Sequence, residues 1–237
     1  METQLRVAER SAISTSIEYS LDSYLDGVAD ATMIFRSAVD AHLHDGSEGA
    51  CWQLARRIAD LVRGLEDMQQ ALEMRPAALA PLEDASGAAT LATLTGLGRL
   101  LRDMKRQVTG LAIESGFTRR GRRVPAHLAV DVQELTDEVC AAIDALVETC
   151  RPERQQEPAA EEGRRGVGWH EAQADRLSMA LLRRILADEA LDVDTRLLLA
   201  QFVEEIDRVA DQAEAVAREL PTDGRAAVGT PGGAYAH

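Results

Sequence analysis

With 237 residues, 46% of them hydrophobic, the chain is long enough for one or two domains and apolar enough for a sizeable core. Only 3% of residues are aromatic, and Ala, Leu, Glu, Asp and Arg dominate, which favours packed helices and disfavours a sheet-rich fold. A formal net charge of −14 opposes direct binding of nucleic acid or anionic membrane, whose phosphates would be repelled, and leaves cations or basic protein surfaces as the natural partners.

In chain order, residues 1–18 read as an N-terminal extension without an apolar signal core. No uncharged apolar run approaches the ~20 residues of a membrane span, so a cytoplasmic protein without direct membrane insertion is expected. A first helix is predicted from about Ser20 to His44, its Asp22, Asp26 and Asp30 row forming a solubilising face beside Leu21, Tyr24, Leu25, Val28 and Phe35. A second runs from about Cys51 to Met74, ended by Pro76 and Pro81. A third spans about Ala88 to Ser115 and tolerates Gly96, Gly98 and Gly110. The basic stretch with Arg119, Arg120, Arg122 and Arg123 reads as a solvated loop. The fourth helix, about His127 to Cys150, carries Leu128, Val132, Leu135, Val139, Ile143 and Leu146 at the spacing of one buried face.

Residues 151–168 read as a charged, flexible linker with too little apolar content to pack. A fifth helix is expected from about Trp169 to Asp188 and a sixth from about Asp194 to Leu220. The tail 221–237, rich in Gly, Pro and Ala, is expected to be disordered. Cys51, Cys140 and Cys150 are odd in number and lack CxxC spacing, so they read as small core thiols. The chain is therefore expected to be all-α. Its helices fall into two sets of three, residues 19–118 and 124–220, and the second helix of each set carries an Ala-Asp pair (RRIAD, EAQAD). Two tandem, pseudo-repeated three-helix bundles packed side by side are the expectation.

The acidic residues of the last two helices are placed unusually. Rotating the fifth helix at ~100° per residue puts Ala174, Leu177, Leu181, Leu182 and Ile185 on one face, with Glu171 and Asp175 on its flank. On the sixth, Glu204, Asp207, Asp211 and Glu214 form a strip roughly 80° wide that borders the apolar face of Leu199, Phe202, Ile206, Val209, Ala213 and Val216. Carboxylates taken from water without a partner cost several kcal/mol each, on the order of a lost solvation shell. Where two such helices pack antiparallel, their carboxylates converge at the seam. The compensating partner is either a hard cation, for which an oxygen quartet is suited, or arginines such as Arg176, Arg183 and Arg208.

EAQADRLSMALLRRIL followed by FVEEIDRVADQAEAVAREL resembles the PhoU-like family of bacterial phosphate-homeostasis regulators, over residues 169–220; over the first half the likeness is topological. The resemblance implies a tandem of three-helix bundles whose E/DxxxD motifs gather metal ions, as iron, zinc, magnesium or manganese. Glu171 and Asp175 match one motif, and Asp207 and Asp211 its partner on the next helix. In the first half the matching positions are Arg56 and Asp60, then Asp103 and Gln107, so each motif has lost a carboxylate and an ion pair or anion-attracting patch is expected there. The resemblance further implies a regulatory adaptor of phosphate transport or phosphate signalling. Its partner would be an inorganic phosphate transporter or the associated signalling machinery, and homo-oligomerisation is compatible with it. His170, next to Glu171, points about 100° away and is a weaker ligand candidate.

Catalysis finds little support: there is no Gly-rich phosphate loop and no HExxH, and none of the five histidines has an acid three residues before it, as ferritin-type di-iron sites require. No enzyme is expected. The rival readings are a metal-free helical scaffold or oligomerisation module, and a carboxylate metalloenzyme.

Overall fold

The computed structural model describes residues 2–44, 48–79, 85–117, 124–151 and 159–220, and they are all-helical. The helices are α1 (Glu2–Leu43), α2 (Glu48–Leu79), α3 (Ala85–Phe117), α4 (Ala126–Cys150), α5 (Ala159–Ala187) and α6 (Val193–Glu219). The predicted tail 221–237 and the basic loop from Arg119 to Arg123 lie outside the described residues.

Helical periodicity accounts for the core. The stripe expected on α4, Leu128 through Leu146, is buried throughout, and on α1 Leu21, Leu25, Val28, Phe35 and Val39 are buried at the same spacing. They meet Ile58, Val62 and Leu65 of α2 and Leu97, Leu101 and Met104 of α3. Each fully buried side chain of this kind contributes about 1.5–3 kcal/mol. Two hydroxyls caught in this core are satisfied within their own helix: Thr32 donates to the Val28 carbonyl at 3.0 Å and Thr136 to that of Val132 at 2.7 Å.

Within each set of three, every helix touches the other two; the sets meet where α1 packs on α4 and α3 on α6. One continuous apolar cluster runs through both sets. Polar contacts cross the same junction. Arg151, just past the end of α4, reaches Asp26 at 2.9 Å and Asp22 at 3.7 Å, so part of the acid row read as a solubilising face anchors α4 to α1. Arg36 pairs with Asp137, and Arg99 with Glu219 at 3.2 Å. Exposed pairs contribute about 0–1 kcal/mol each, so the shared apolar core holds the sets together and the ion pairs fix their register.

Three boundaries differ from the sequence expectation. α1 begins at Glu2, where an extension is expected, and α2 continues past Pro76 to Leu79, because a proline near a helix end removes one hydrogen bond without stopping the turn. The third difference falls on an expected linker. α5 begins at Ala159, so most of the expected flexible linker 151–168 is helix. Low apolar content misleads here because this segment packs through small residues: a Cβ on Gly163 would lie 2.2 Å from Thr149 Oγ1, and Val167 is fully buried. Glycine lets α5 approach α4 almost backbone to side chain. Gly96 serves α3 likewise, where a Cβ would press on Val216 of α6 at 3.0 Å.

Candidate metal centre

α5 and α6 form an antiparallel hairpin. Asp192 caps α6, its side chain accepting from Thr195 N at 2.7 Å, while Asp188 accepts from Ala190 N at 3.0 Å and from His127 Nε2 at 3.0 Å. Two further bonds set the register of the hairpin: Arg196 Nη1 donates to the Leu186 carbonyl at 3.1 Å, and the buried Ser178 Oγ donates to Asp207 Oδ2 at 2.8 Å.

In this register three of the four predicted ligands converge. Glu171, Asp175 and Asp211 each offer a carboxylate oxygen, and these oxygens lie within 4.8 Å of one another. Two oxygens on one hard cation, each at roughly 2.0–2.6 Å, are at most about 5 Å apart, so the spacing fits a shared ion. Glu171 is half-buried, while Asp175 and Asp211 are exposed: the trio occupies the rim of the seam. Asp207, the fourth, is outside this trio and half-buried one step further in, held by Ser178. Among the described residues this is the one group of three such ligands.

The electrostatics are those of crowded negative charge. Burial pushes the Asp207 carboxyl up to about 6 against the hydrogen bond from Ser178, with Asp175, Asp211 and Glu204 adding repulsion. Glu171 is raised by burial first, then by Glu214, Asp175, Asp211 and Asp207. Asp211 is raised by burial, then by Asp175 and Glu214, while Arg208 and Arg218 pull it back. Arg218 pairs with Glu214. Among the described residues no ion pair joins Glu171, Asp175 or Asp211 to a lysine or arginine.

Sequence reasoning placed Glu214 in the acidic strip but not among the ligands, and it did not single out Ser178. Among neighbouring charges, Glu214 does most to raise the Glu171 carboxyl. Its signal was present in the i, i+3 spacing from Asp211, which a search for four-residue spacing passes over. His170 turns away from the trio: its Nδ1 lies 2.8 Å from Glu138 Oε2 of α4, and its ring meets Trp169 edge-on at 4.8 Å.

The corresponding positions of the first set hold no such group. Asp60 pairs with Arg63 at 2.9 Å and Asp103 with Arg106 at 3.2 Å, each within its own helix. Gln107 is buried and donates to the Glu205 carbonyl at 2.8 Å, tying α3 to α6. Cys51, Cys140 and Cys150 are buried and outside any disulfide, and burial pushes Cys140 and Cys150 up to about 12, as expected of core residues.

No protein-family model matches the chain, and no curated protein matches it. Solved structures do. A PhoU-like phosphate regulatory protein from Shewanella oneidensis MR-1 superposes with a TM-score of 0.70 at 16% identity, over 86% of this chain and 96% of that one. A second PhoU-like protein from the same organism gives 0.73 at 15% identity, with the same coverage. PhoU from Pseudomonas aeruginosa gives 0.54 at 16% identity, over 89% of this chain and 96% of its own. With six helices among the described residues in two mutually packed sets of three, matched along nearly the whole length of those proteins, the chain has the PhoU-like fold.

Proposed function

We propose that the chain is a cytoplasmic, non-enzymatic regulator of phosphate transport or phosphate signalling. It acts by contact with a phosphate transporter or its signalling machinery, and Glu171, Asp175, Asp207 and Asp211 hold one or more metal ions. The phosphate-regulatory descriptions of the superposing proteins support the first part. No helix among the described residues is long and apolar enough to cross a membrane, which suits a protein that reaches a transporter by docking.

The observation that carries the metal reading is the convergence of three carboxylates within 4.8 Å at a seam between two helices, where burial and then neighbouring acids raise Glu171 and Asp211. Glu171, Asp175 and Asp211 would provide the hard oxygens, with Asp207 behind them. A bound cation supplies positive charge that offsets their repulsion and joins α5 to α6. Elemental analysis tests this. A protein with Asp175→Ala and Asp211→Ala is expected to lose the metal carried by the wild type, and equal metal content in both would sink the site.

The metal-free scaffold draws support from one observation, the partial compensation of Asp211 by Arg208 and Arg218. Melting with and without chelator separates the two. An ion at about a hundredfold its Kd stabilises the folded state by about 2.7 kcal/mol, whereas a scaffold gives superimposed curves.

A further inference from the structure

The α5–α6 hairpin carries a second feature on the face that bears the carboxylates. Met179, Leu186, Val193 and Leu197 are 51%, 55%, 61% and 60% exposed, in a protein whose other large apolar side chains are mostly buried. Met179 and Leu186 are seven residues apart on α5, and Val193 and Leu197 four apart on α6, so each pair shares a side of its helix. Helical rotation puts the first pair within roughly 40° of Asp175 and the second within roughly 40° of Asp211. The bond from Arg196 to the Leu186 carbonyl at 3.1 Å brings the end of α5 against the start of α6, so the two pairs form one patch beside the half-buried Leu182.

Its rim carries a net negative charge. Glu204, Asp175 and Asp211 border it on one side, and Glu189 and Asp194, all exposed, lie at the turn. Three arginines also border it, Arg196 on the Leu186 carbonyl, Arg183 one turn from Met179 and Arg208 about 20° round from Leu197, so five acids stand against three cations. Contiguous exposed apolar surface with a polar rim marks an interaction site.

We infer that this face docks an amphipathic helix of a protein partner, apolar on one side and bearing Lys or Arg at its ends. The inference rests on the reading of the chain as an adaptor acting by protein contact, and names the surface and the partner chemistry. Charge selects this occupant. A second copy would set one net-negative rim against another, and anionic lipid would be repelled by the rim and by the net charge of −14. A basic-ended helix buries its apolar stripe on the four side chains while its cations meet the rim.

The probe is a labelled synthetic helix of leucine and lysine with amphipathic spacing, titrated by fluorescence anisotropy against the full chain. It should bind more tightly than a scrambled peptide of equal composition. Leu186→Glu with Leu197→Glu should weaken it by about tenfold or more, although the added negative charge would strengthen a purely ionic attraction. Val130→Glu, which adds the same kind of charge at an exposed site on α4, should leave it within about twofold. Circular dichroism melts verify that the variants fold. Equal binding of the scrambled peptide, or unchanged or tighter binding by the double variant, overturns the proposal. So does a dimer in sedimentation that the double variant splits, or co-sedimentation with anionic vesicles that the double variant abolishes. Running the titration in chelator and with manganese separates the two readings: docking without metal uptake rejects the metal reading alone, and metal uptake without docking rejects this one.

Discussion

Asp207 carries the clearest single-residue consequence. Its folded-state carboxyl is raised to about 6, above its ordinary value, so between about pH 4 and 6 the folded protein binds more protons than the unfolded one. The sign follows: without metal, stability contributed by this group is present at low pH and falls as pH rises through 6. Removing the charge should reverse that loss. Asp207→Asn is expected to stabilise the metal-free protein at pH 7 by about 1–2 kcal/mol, allowing for solvent screening, and to flatten the pH dependence of the denaturation midpoint between pH 4 and 7. A variant whose midpoint falls in parallel with the wild type would show that the repulsion is relieved by other means. Ser178, which holds this carboxylate, is buried on the inner face of α5; an isolated serine in a helical stripe gives no sequence cue that a carboxylate on another helix will reach it.

Among the elements, α5 departs furthest from what composition suggests. Ala159 to Gly168 contains charged residues and glycines in place of an apolar stripe, yet it extends α5 along α4 because Gly163 lets the helices close on Thr149. Gly163→Ala should therefore destabilise by about 1–3 kcal/mol in chemical denaturation despite the higher helix propensity of alanine. Thr149→Ala in the same chain should restore part of the loss. Gly64 is the control: a Cβ there meets nothing within 4 Å, so Gly64→Ala should stabilise by about 0.5–1 kcal/mol. A null effect at Gly163 would mean that α5 shifts away from α4 at little cost.

For the whole molecule, the two sets of helices share one apolar core across the α1–α4 and α3–α6 junctions, reinforced by the bond from Gln107 to the Glu205 carbonyl. The apparent duplication is therefore not expected to make two independently folding domains. The full chain is expected to unfold in one cooperative transition, with calorimetric and van't Hoff enthalpies agreeing. Two resolved transitions, or a calorimetric enthalpy well above the van't Hoff value, would show that the sets melt separately.

Composition and periodicity determined that the chain is helical, which faces are buried, and that acids border the apolar faces of α5 and α6, because these are properties of single helices. The buried stripe of α4 and the E/DxxxD pairs Glu171 with Asp175 and Asp207 with Asp211 were legible for that reason. Only the tertiary structure decided which acids meet. Antiparallel register brings Asp211 to Glu171 and Asp175, turns Asp207 toward Ser178, and sets Glu214 beside Glu171. It also put Gln107 against the backbone of α6 and Arg151 against α1, contacts between residues about a hundred positions apart. Helical spacing is fixed by local backbone geometry and can be read along a chain, whereas register between helices depends on how side chains of different segments interlock, which no single segment encodes.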